Sequence, residues 1–240
     1  MSFVNVKPMV VGYKGEIGSF ILNGLLRTMP KALDIMCVDI NETEDEVVER
    51  IEKSSLIFLC VPMFQTGVWI KKYRHLIENK TVVEQCSLKE WLFQGNTNLD
   101  IISMHILFKP SQTPNLEDRT VAIIQPFPLY LVPLIECITQ ANIIVYSNVK
   151  EHDMEMATQQ ALVHRTLLVL GDIIAKNGKG ETYIGKKVLE LKKRIMKGDK
   201  ELYKAIQDNR HLSEPLKKME KGLAQFDIDN YFIKEQNGNV

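Results

Sequence analysis

Three glycines close to the start of the chain stand where a backbone turn could hold a phosphate group. The apolar run of residues 8–11 predicts a buried strand, and Gly12-Tyr-Lys-Gly15-Glu16-Ile17-Gly18 leads from it into a predicted helix. Glycines at such a turn let the backbone approach a pyrophosphate, which rests on the free N–H groups at the helix N-terminus. Tyr13 occupies the first glycine position of the Gly-x-Gly-x-x-Gly frame, so an ordinary tight turn is the alternative.

Asp39 strengthens this prediction because it ends the second predicted strand about 20 residues beyond Gly18. A carboxylate there accepts hydrogen bonds from the adenosine ribose and repels a 2′-phosphate. The order of strand, turn, helix, strand and acid therefore predicts a site for NAD rather than NADP. Taken alone, Asp39 could be a helix cap or a turn residue.

The elements that must position this turn alternate between strands and helices through residue 146. Short apolar runs predict strands at 8–11, 34–40, 55–61, 81–84, 101–105, 120–124 and 142–146. Helical spacing falls at 16–27, 63–77 and 127–140, and Asn41 or Thr43 could cap an acidic helix that ends near Lys53. The strands are continuously apolar, which is typical of parallel strands covered on both faces. We predict a Rossmann-like, doubly wound parallel α/β domain over residues 1–147.

Residues 148–240 show no convincing strand pattern. Helical patterns cover 149–176, 182–197, 199–209 and 213–226, and a polar tail follows from Asp227. This part of the chain is therefore predicted to be an all-helical domain. The lysine-rich residues 186–197 indicate either a solvated helix face or a patch that faces an anionic substrate.

Composition excludes several function classes. The 240 residues hold 30 Lys and Arg against 30 Asp and Glu, so net charge gives no reason to bind nucleic acid or an anionic membrane. No apolar run approaches the ~20 residues that span a bilayer, and the first residues show no secretory signal pattern. The 4 cysteines and 5 histidines show no zinc-ligand spacing. We expect a cytoplasmic protein without a metal, a nucleic-acid partner or a membrane contact.

The most specific segment is Glu151-His-Asp-Met-Glu-Met-Ala-Thr-Gln-Gln-Ala-Leu-Val-His164. Acid-His-Asp, then Met-Ala and Gln-Ala-Leu-x-His on a long helix, resembles the prephenate/arogenate dehydrogenase family of tyrosine biosynthesis. Further similarities follow in the family's order at Cys60-Val61-Pro62, Ser87-Leu-Lys89, 103–110 and 199–203. That family joins a Rossmann-like domain to a helical dimerisation domain. The resemblance therefore implies NAD binding at the glycine turn and at Val61 and Pro62, and a homodimer.

The resemblance implies an NAD-dependent oxidative decarboxylation of a small dicarboxylate, either prephenate to 4-hydroxyphenylpyruvate or arogenate to tyrosine. Hydride leaves C4 of the substrate for the nicotinamide, the C4 hydroxyl loses its proton, and the ring carboxylate leaves as CO₂. By resemblance, His105 accepts that proton, a task that suits a neutral imidazole. Ser87 would hydrogen-bond the substrate hydroxyl or the His105 ring, or would cap the next helix together with Glu90.

Three further residues are expected by resemblance to bind the substrate. Lys89 would be an electrostatic partner, and His164 would line the site from the helical half or be a core or interface histidine. Lys186 stands where the family has an arginine that grips the substrate's side-chain carboxylate. The run Glu151-His152-Asp153 is interpreted as structural, because acids suit the first turn of a helix.

The sequence departs from the family pattern near the expected site. Ile106 and Lys109 replace a proline and a glycine that follow the histidine in the family, and Tyr13 crowds the nucleotide turn. Two other functions therefore stay open. One is a non-catalytic NAD-binding regulator on the same fold, and the other is a small-acid dehydrogenase or reductase that resembles pyrroline-carboxylate reductase.

Overall fold

The structure is a computed structural model that describes residues 6–29, 35–93, 101–177 and 182–226. It divides into two compact units, Met1–His152 and Asp153–Val240. The predicted domain boundary lies a few residues before this division. The predicted polar tail from Asp227 lies outside the described residues.

The first unit is built on a sheet whose order is β2-β1-β3-β4-β5-β6-β7 among the described residues. The chain starts in the interior of the sheet, adds β2 on one side of β1, and then crosses to β3 on the other side. This switch point lies at the carboxyl ends of β1 and β3, which is where ligands of open α/β sheets bind. The strands are β1 Pro8–Val11, β2 Met36–Val38, β3 Leu56–Leu59, β4 Thr81–Glu84, β5 Ile101–Ile106, β6 Thr120–Ile124 and β7 Asn142–Tyr146.

Helices cover both faces of the sheet, so the predicted doubly wound α/β fold is confirmed. Helices α1 and α5 pack on one face around Val10, Phe58 and Met104, while α2 and α3 pack on the other face around Met9 and Ile57. The helices of this unit are α1 Glu16–Thr28, α2 Glu44–Lys53, α3 Met63–Ile77, α4 Glu90–Phe93 and α5 Val132–Thr139.

The sheet is mixed, and this corrects the expectation of a purely parallel sheet. Strand β6 runs antiparallel to β5, with Ala122 opposite His105, whereas β6 and β7 are parallel. The β5–β6 connection contains only two short 3₁₀ turns, Pro110–Gln112 and Leu116–Asp118. A parallel partner needs a crossover over one face, usually through a helix, and this connection has none within its described residues.

The second unit is helical, and the long helix predicted over 149–176 is interrupted. Helix α6 Val149–Met156 continues through a π-helical stretch, Ala157–Leu162, into α7 Val163–Asn177. The Gln207 amide donates to the carbonyl oxygen of Ala161 at 2.9 Å and so satisfies one backbone group of the widened turn. The remaining helices are α8 Tyr183–Met196, α9 Lys200–Gln207 and α10 Ser213–Ala224. No helix of the described residues is long and apolar enough to cross a membrane.

Candidate functional site

The glycine turn between β1 and α1 requires glycine at two positions. Gly12 has a φ of +80°, and a Cβ there would lie 2.5 Å from the carbonyl oxygen of Cys60. A Cβ on Gly18 would lie 2.0 Å from the carbonyl oxygen of Gly12, so helix α1 passes directly against the turn. These contacts give the tight turn and the close helix–strand packing that a dinucleotide-binding turn needs.

The N-terminus of α1 is built to receive an anion. Gly15 is the N-cap residue and supplies no side-chain cap, so the N–H groups of the first turn, which starts with Glu16 and Ile17, lack a side-chain acceptor. The helix dipole also places positive partial charge there. The glycines that pack this turn closely against backbone, together with the uncapped first turn of α1, are the features of a pyrophosphate-binding turn.

Asp39 lies at the end of β2, beside the glycine turn. Its Oδ2 accepts a hydrogen bond from the backbone N–H of Lys14 at 2.9 Å, and its Oδ1 accepts one from Ile40 at 2.8 Å. Each carboxylate oxygen keeps a further lone pair. Asp39 is half-buried, so its carboxylate can still accept from a ligand hydroxyl.

Val61 and Pro62 follow β3 on the other side of the switch point. The Cγ1 of Val61 would lie 3.2 Å from a Cβ on Gly12, so this side chain borders the turn directly. Pro62 is exposed and is the N-cap residue of α3. All eight residues predicted to bind the cofactor therefore lie in the glycine turn or at the adjoining strand ends of one unit.

The loop after β5 is tied to the same turn through residues that were not predicted to interact. Glu16 Oε1 accepts hydrogen bonds from the backbone N–H of Ser111 at 2.9 Å and from its hydroxyl at 2.5 Å. Lys109 Nζ lies 3.7 Å from Glu16 Oε2. Burial raises the pKa of Glu16, but the Ser111 hydrogen bonds and the Lys109 charge outweigh burial and lower it overall. The β5–β6 loop therefore reaches the N-terminus of α1.

His105 is the next-to-last residue of β5 and is only 4% exposed. Its Nδ1 lies 3.1 Å from Nε2 of His152 in α6, which leaves Nε2 of His105 as the ring nitrogen for another partner. The His152 ring also meets the Tyr146 ring edge-on at 5.3 Å between centroids. Burial first, then the Lys89 charge and His152, hold the pKa of His105 well below its usual value of 6.5. His105 is therefore neutral at physiological pH.

A buried ion pair lies beside His105 on the same face of the sheet. Lys89 Nζ donates to Glu84 Oε1 at 2.8 Å and to the carbonyl oxygen of Met104 at 2.7 Å, and both charged side chains are 0% exposed. The Ser103 hydroxyl also donates to Glu84, and the Cys86 backbone N–H donates to Glu84 Oε2 at 2.6 Å. The pair thus joins the β4–α4 turn to the strand that carries His105. This placement does not fit the expected contact of Lys89 with a substrate, because the side chain has no accessible surface.

Ser87 lies in the same β4–α4 turn and is half-buried. Helix α4 begins at Glu90, so Lys89 rather than Ser87 directly precedes the helix. Among the described residues, no hydrogen bond joins Ser87 to His105.

Solved structures with this architecture are known. A candidate prephenate dehydrogenase from Corynebacterium glutamicum has a TM-score of 0.70 and 16% identity over 91% of this chain and 80% of its own. Prephenate dehydrogenase from Aquifex aeolicus, in complex with hydroxyphenyl propionate and NAD⁺, has a TM-score of 0.67 and 14% identity over 99% of this chain and 94% of its own. The chain has the fold of the prephenate dehydrogenases. The resemblance seen in the sequence is thus confirmed at the level of the fold.

Other reductases share the prephenate dehydrogenase fold less closely. Pyrroline carboxylate reductase from Plasmodium falciparum, with NADP bound, has a TM-score of 0.51 and 15% identity over 99% of this chain and 92% of its own. In sequence comparisons, no protein-family model and no curated protein matches this chain.

Within this prephenate dehydrogenase fold, the second unit carries the two other residues predicted to bind substrate. His164, at the start of α7, packs edge-on against Tyr203 with 5.0 Å between ring centroids. Its buried Nδ1 has no hydrogen-bond partner within the described residues, and burial lowers the pKa of its ring. Lys186 is exposed on α8, as is Arg194 two turns further along. These residues belong to a different unit from His105 and the glycine turn.

Three residues of the site have contacts that the sequence patterns do not predict. The patterns assign no role to Glu84 or Ser111, and they indicate a structural role for His152. Glu84 did give a signal, since a carboxylate ends an otherwise apolar strand five residues before a lysine. The His152 contact had no comparable signal, because 47 residues separate it from His105.

Proposed function

We propose that this chain is an NAD-dependent dehydrogenase that decarboxylates prephenate or arogenate oxidatively. The observation that carries the proposal is His105, a buried neutral imidazole at a strand end whose loop is bonded to the glycine turn through Ser111 and Glu16. The fold shared with prephenate dehydrogenases supports the same reaction class.

Residues of the first unit would hold NAD. The first turn of α1, flanked by Gly12, Gly15 and Gly18, would bind the pyrophosphate, and Asp39 would accept hydrogen bonds from the adenosine ribose. Val61 and Pro62 would contact the cofactor across the switch point, since Val61 already borders Gly12. When bound, NAD supplies the acceptor for the hydride that leaves C4 of the substrate.

His105 would act as the general base. Its Nε2 takes the proton of the C4 hydroxyl, and C4 becomes a carbonyl carbon. The ring carboxylate leaves as CO₂. A pKa well below 6.5 keeps the ring unprotonated at neutral pH, so the acceptor is present in nearly every molecule. We propose that Ser87 orients the substrate hydroxyl or the ring, and that Lys89 acts on His105 through its charge rather than by touching the substrate.

The anionic groups of the substrate require cations and donors from elsewhere. We propose that His164 and Lys186 of the second unit provide them, since Lys186 is exposed and the Nδ1 of His164 has no partner within the described residues. Lysine keeps the charge of an arginine but loses its bidentate geometry.

A homodimer through the helical unit is part of the proposal. Large apolar side chains are exposed on α7 and α8, and a second copy could cover them. These side chains are Val169, Leu170, Ile173, Ile184, Leu191 and Met196.

Production of NADH tests the proposal directly. Purified protein with NAD and either prephenate or arogenate should increase the absorbance of NADH, and one substrate should be preferred. His105→Ala should lower kcat by about 10²- to 10⁴-fold, the usual contribution of a general base, while NAD affinity stays nearly unchanged. The control is His75→Ala, since His75 is exposed on α3.

Turnover of neither substrate would refute the proposal. Faster oxidation of NADH with pyrroline-5-carboxylate would instead favour a reductase of related fold. Full activity in His105→Ala would show that another group is the base.

A further inference from the structure

We propose that His152 is a positioning residue that sets the tautomer of His105. His152 would accept the Nδ1–H of His105 at its own Nε2, so that the Nε2 lone pair of His105 stays available for the substrate proton. The inference rests on the proposed function of His105 as a base. It gives a role to His152, which has none in the proposed reaction.

The contact between the two rings is short and enclosed. Nδ1 of His105 and Nε2 of His152 are 3.1 Å apart, and the rings are 4% and 0% exposed. Water therefore has little access to compete for Nδ1 of His105. The centroids are 5.3 Å apart at an interplanar angle of 67°, so the contact joins ring edges and not stacked faces.

Only one of the two possible proton arrangements leaves His105 able to act as a base. A neutral imidazole carries one N–H. If His152 donated to Nδ1 of His105, the proton of His105 would sit on Nε2, and the ring would offer the substrate a donor. If His105 donates from Nδ1, its Nε2 carries the lone pair that the reaction needs. After the proton transfer, the same Nδ1–H remains bonded to His152 and helps to stabilise the imidazolium.

The charges around His105 favour its neutral form, in which one ring nitrogen donates and the other accepts. From the β4–α4 turn, Lys89 brings a positive charge toward His105, held by Glu84 of β4. From α6, the N-terminal turns bring positive partial charge to His152. From β7, Tyr146 packs its ring against His152.

The start of α6 explains why His152 is held in place. Glu151 Oε2 accepts from the backbone N–H of Ser147 at 2.7 Å, and Glu151 N–H donates to the Asn148 side chain at 3.0 Å. The Asn148 side chain thus caps the helix, and the Ser147 bond to Glu151 further fixes its first turn. His152 N–H then bonds the Asn148 carbonyl at 3.3 Å, so the capped turn aims the next side chain at β5. Glu151 therefore fixes the start of the helix, and the next residue, His152, contacts His105.

Two variants of His152 separate the tautomer effect from packing. His152→Phe keeps a ring of similar size and removes the acceptor, whereas His152→Gln keeps an amide oxygen that can accept from Nδ1. Full-length protein labelled with ¹⁵N-histidine gives the tautomer of His105 from long-range ¹H–¹⁵N correlations, with the His105 signals identified by their loss in His105→Ala. His75→Phe on the exposed face of α3 is the matched control.

The wild type should show the proton of His105 on Nδ1, and His152→Gln should retain it. In His152→Phe the proton should move to Nε2, and kcat should fall by about 10- to 100-fold, as for lost outer partners of metal-ligating histidines, with NAD affinity unchanged. His152→Gln should recover most of that loss. A wild-type His105 protonated on Nε2, or an unchanged tautomer in His152→Phe, would overturn the inference.

The spectra do not depend on turnover. If the wild type acts on neither prephenate nor arogenate, the proposed function fails, yet the tautomers still decide the role of His152. If His152→Phe does not fold, the wild-type tautomer alone decides it.

Discussion

The glycine turn and the cluster around His105 lie in one unit, but they are held by different forces. The turn consists of backbone packed on backbone, with Gly12 and Gly18 pressed against carbonyl oxygens and N–H groups left for an anion. The His105 cluster consists of buried side chains that use one another's polar atoms, from Glu84 and Lys89 to His152. The turn thus tolerates almost no added volume, whereas the cluster tolerates almost no unbalanced charge.

The largest effect is expected from unbalancing the charge beside His105. Lys89→Met should destabilise the fold by about 3–5 kcal/mol, because it leaves the Glu84 carboxylate buried without its cation. Unfolding in urea, followed by circular dichroism, measures this change.

The double variant Glu84→Gln/Lys89→Met is the control for lost packing. It removes both charges and keeps similar volumes, so it should be more stable than Lys89→Met alone. A double variant that is as unstable as the sum of the two single variants would show that charge balance is not what holds this cluster.

The next effect tests the turn by added volume. Gly12→Ala forces a side chain onto a φ of +80° and places its Cβ 2.5 Å from the Cys60 carbonyl oxygen. The left-handed backbone alone costs about 1–2 kcal/mol. NAD affinity, measured by calorimetry, should fall at least about tenfold, since about 1.4 kcal/mol corresponds to that factor.

Gly222→Ala makes the same chemical change in the opposite setting. Gly222 lies within α10 and has nothing within 4 Å of the position of a Cβ. Alanine there should stabilise the helix by about 0.5–1 kcal/mol. If Gly12→Ala binds NAD as tightly as Gly222→Ala does, the turn is not the pyrophosphate site.

The same difference explains how far the sequence could predict each region. The strand–turn–helix order at Gly12–Gly18 and the acid at Asp39 are local patterns, and their packing follows from the alternation of elements. The His105 cluster depends on which side chains meet across the sheet, and His152 is distant in sequence from its partner. The parallel arrangement predicted for β6 was wrong, because the apolar pattern of a strand does not indicate its direction. The direction of β6 follows from the β5–β6 connection, which lacks the crossover helix that parallel neighbours usually need.

The smallest effect expected is on the pH dependence of stability, and of the two regions it should belong to the His105 cluster. An unfolded histidine titrates near pH 6.5, and the folded state holds the pKa of His105 well below that value. As pH falls below 6.5, the unfolded chain therefore binds a proton that the folded chain excludes, and stability is lost. The loss is at most about 1.4 kcal/mol per pH unit for one such group, and His164 contributes in the same direction.

Urea unfolding at a series of pH values between 7.5 and 5 would measure this slope and assign it to a region. His105→Leu should flatten the slope, because it removes the proton that the folded state excludes. Gly12→Ala should lower stability at every pH and leave the slope unchanged, since this substitution neither adds nor removes a titrating group. An unchanged slope in His105→Leu, or a flattened one in Gly12→Ala, would mean that the two regions do not differ in the way their contacts indicate.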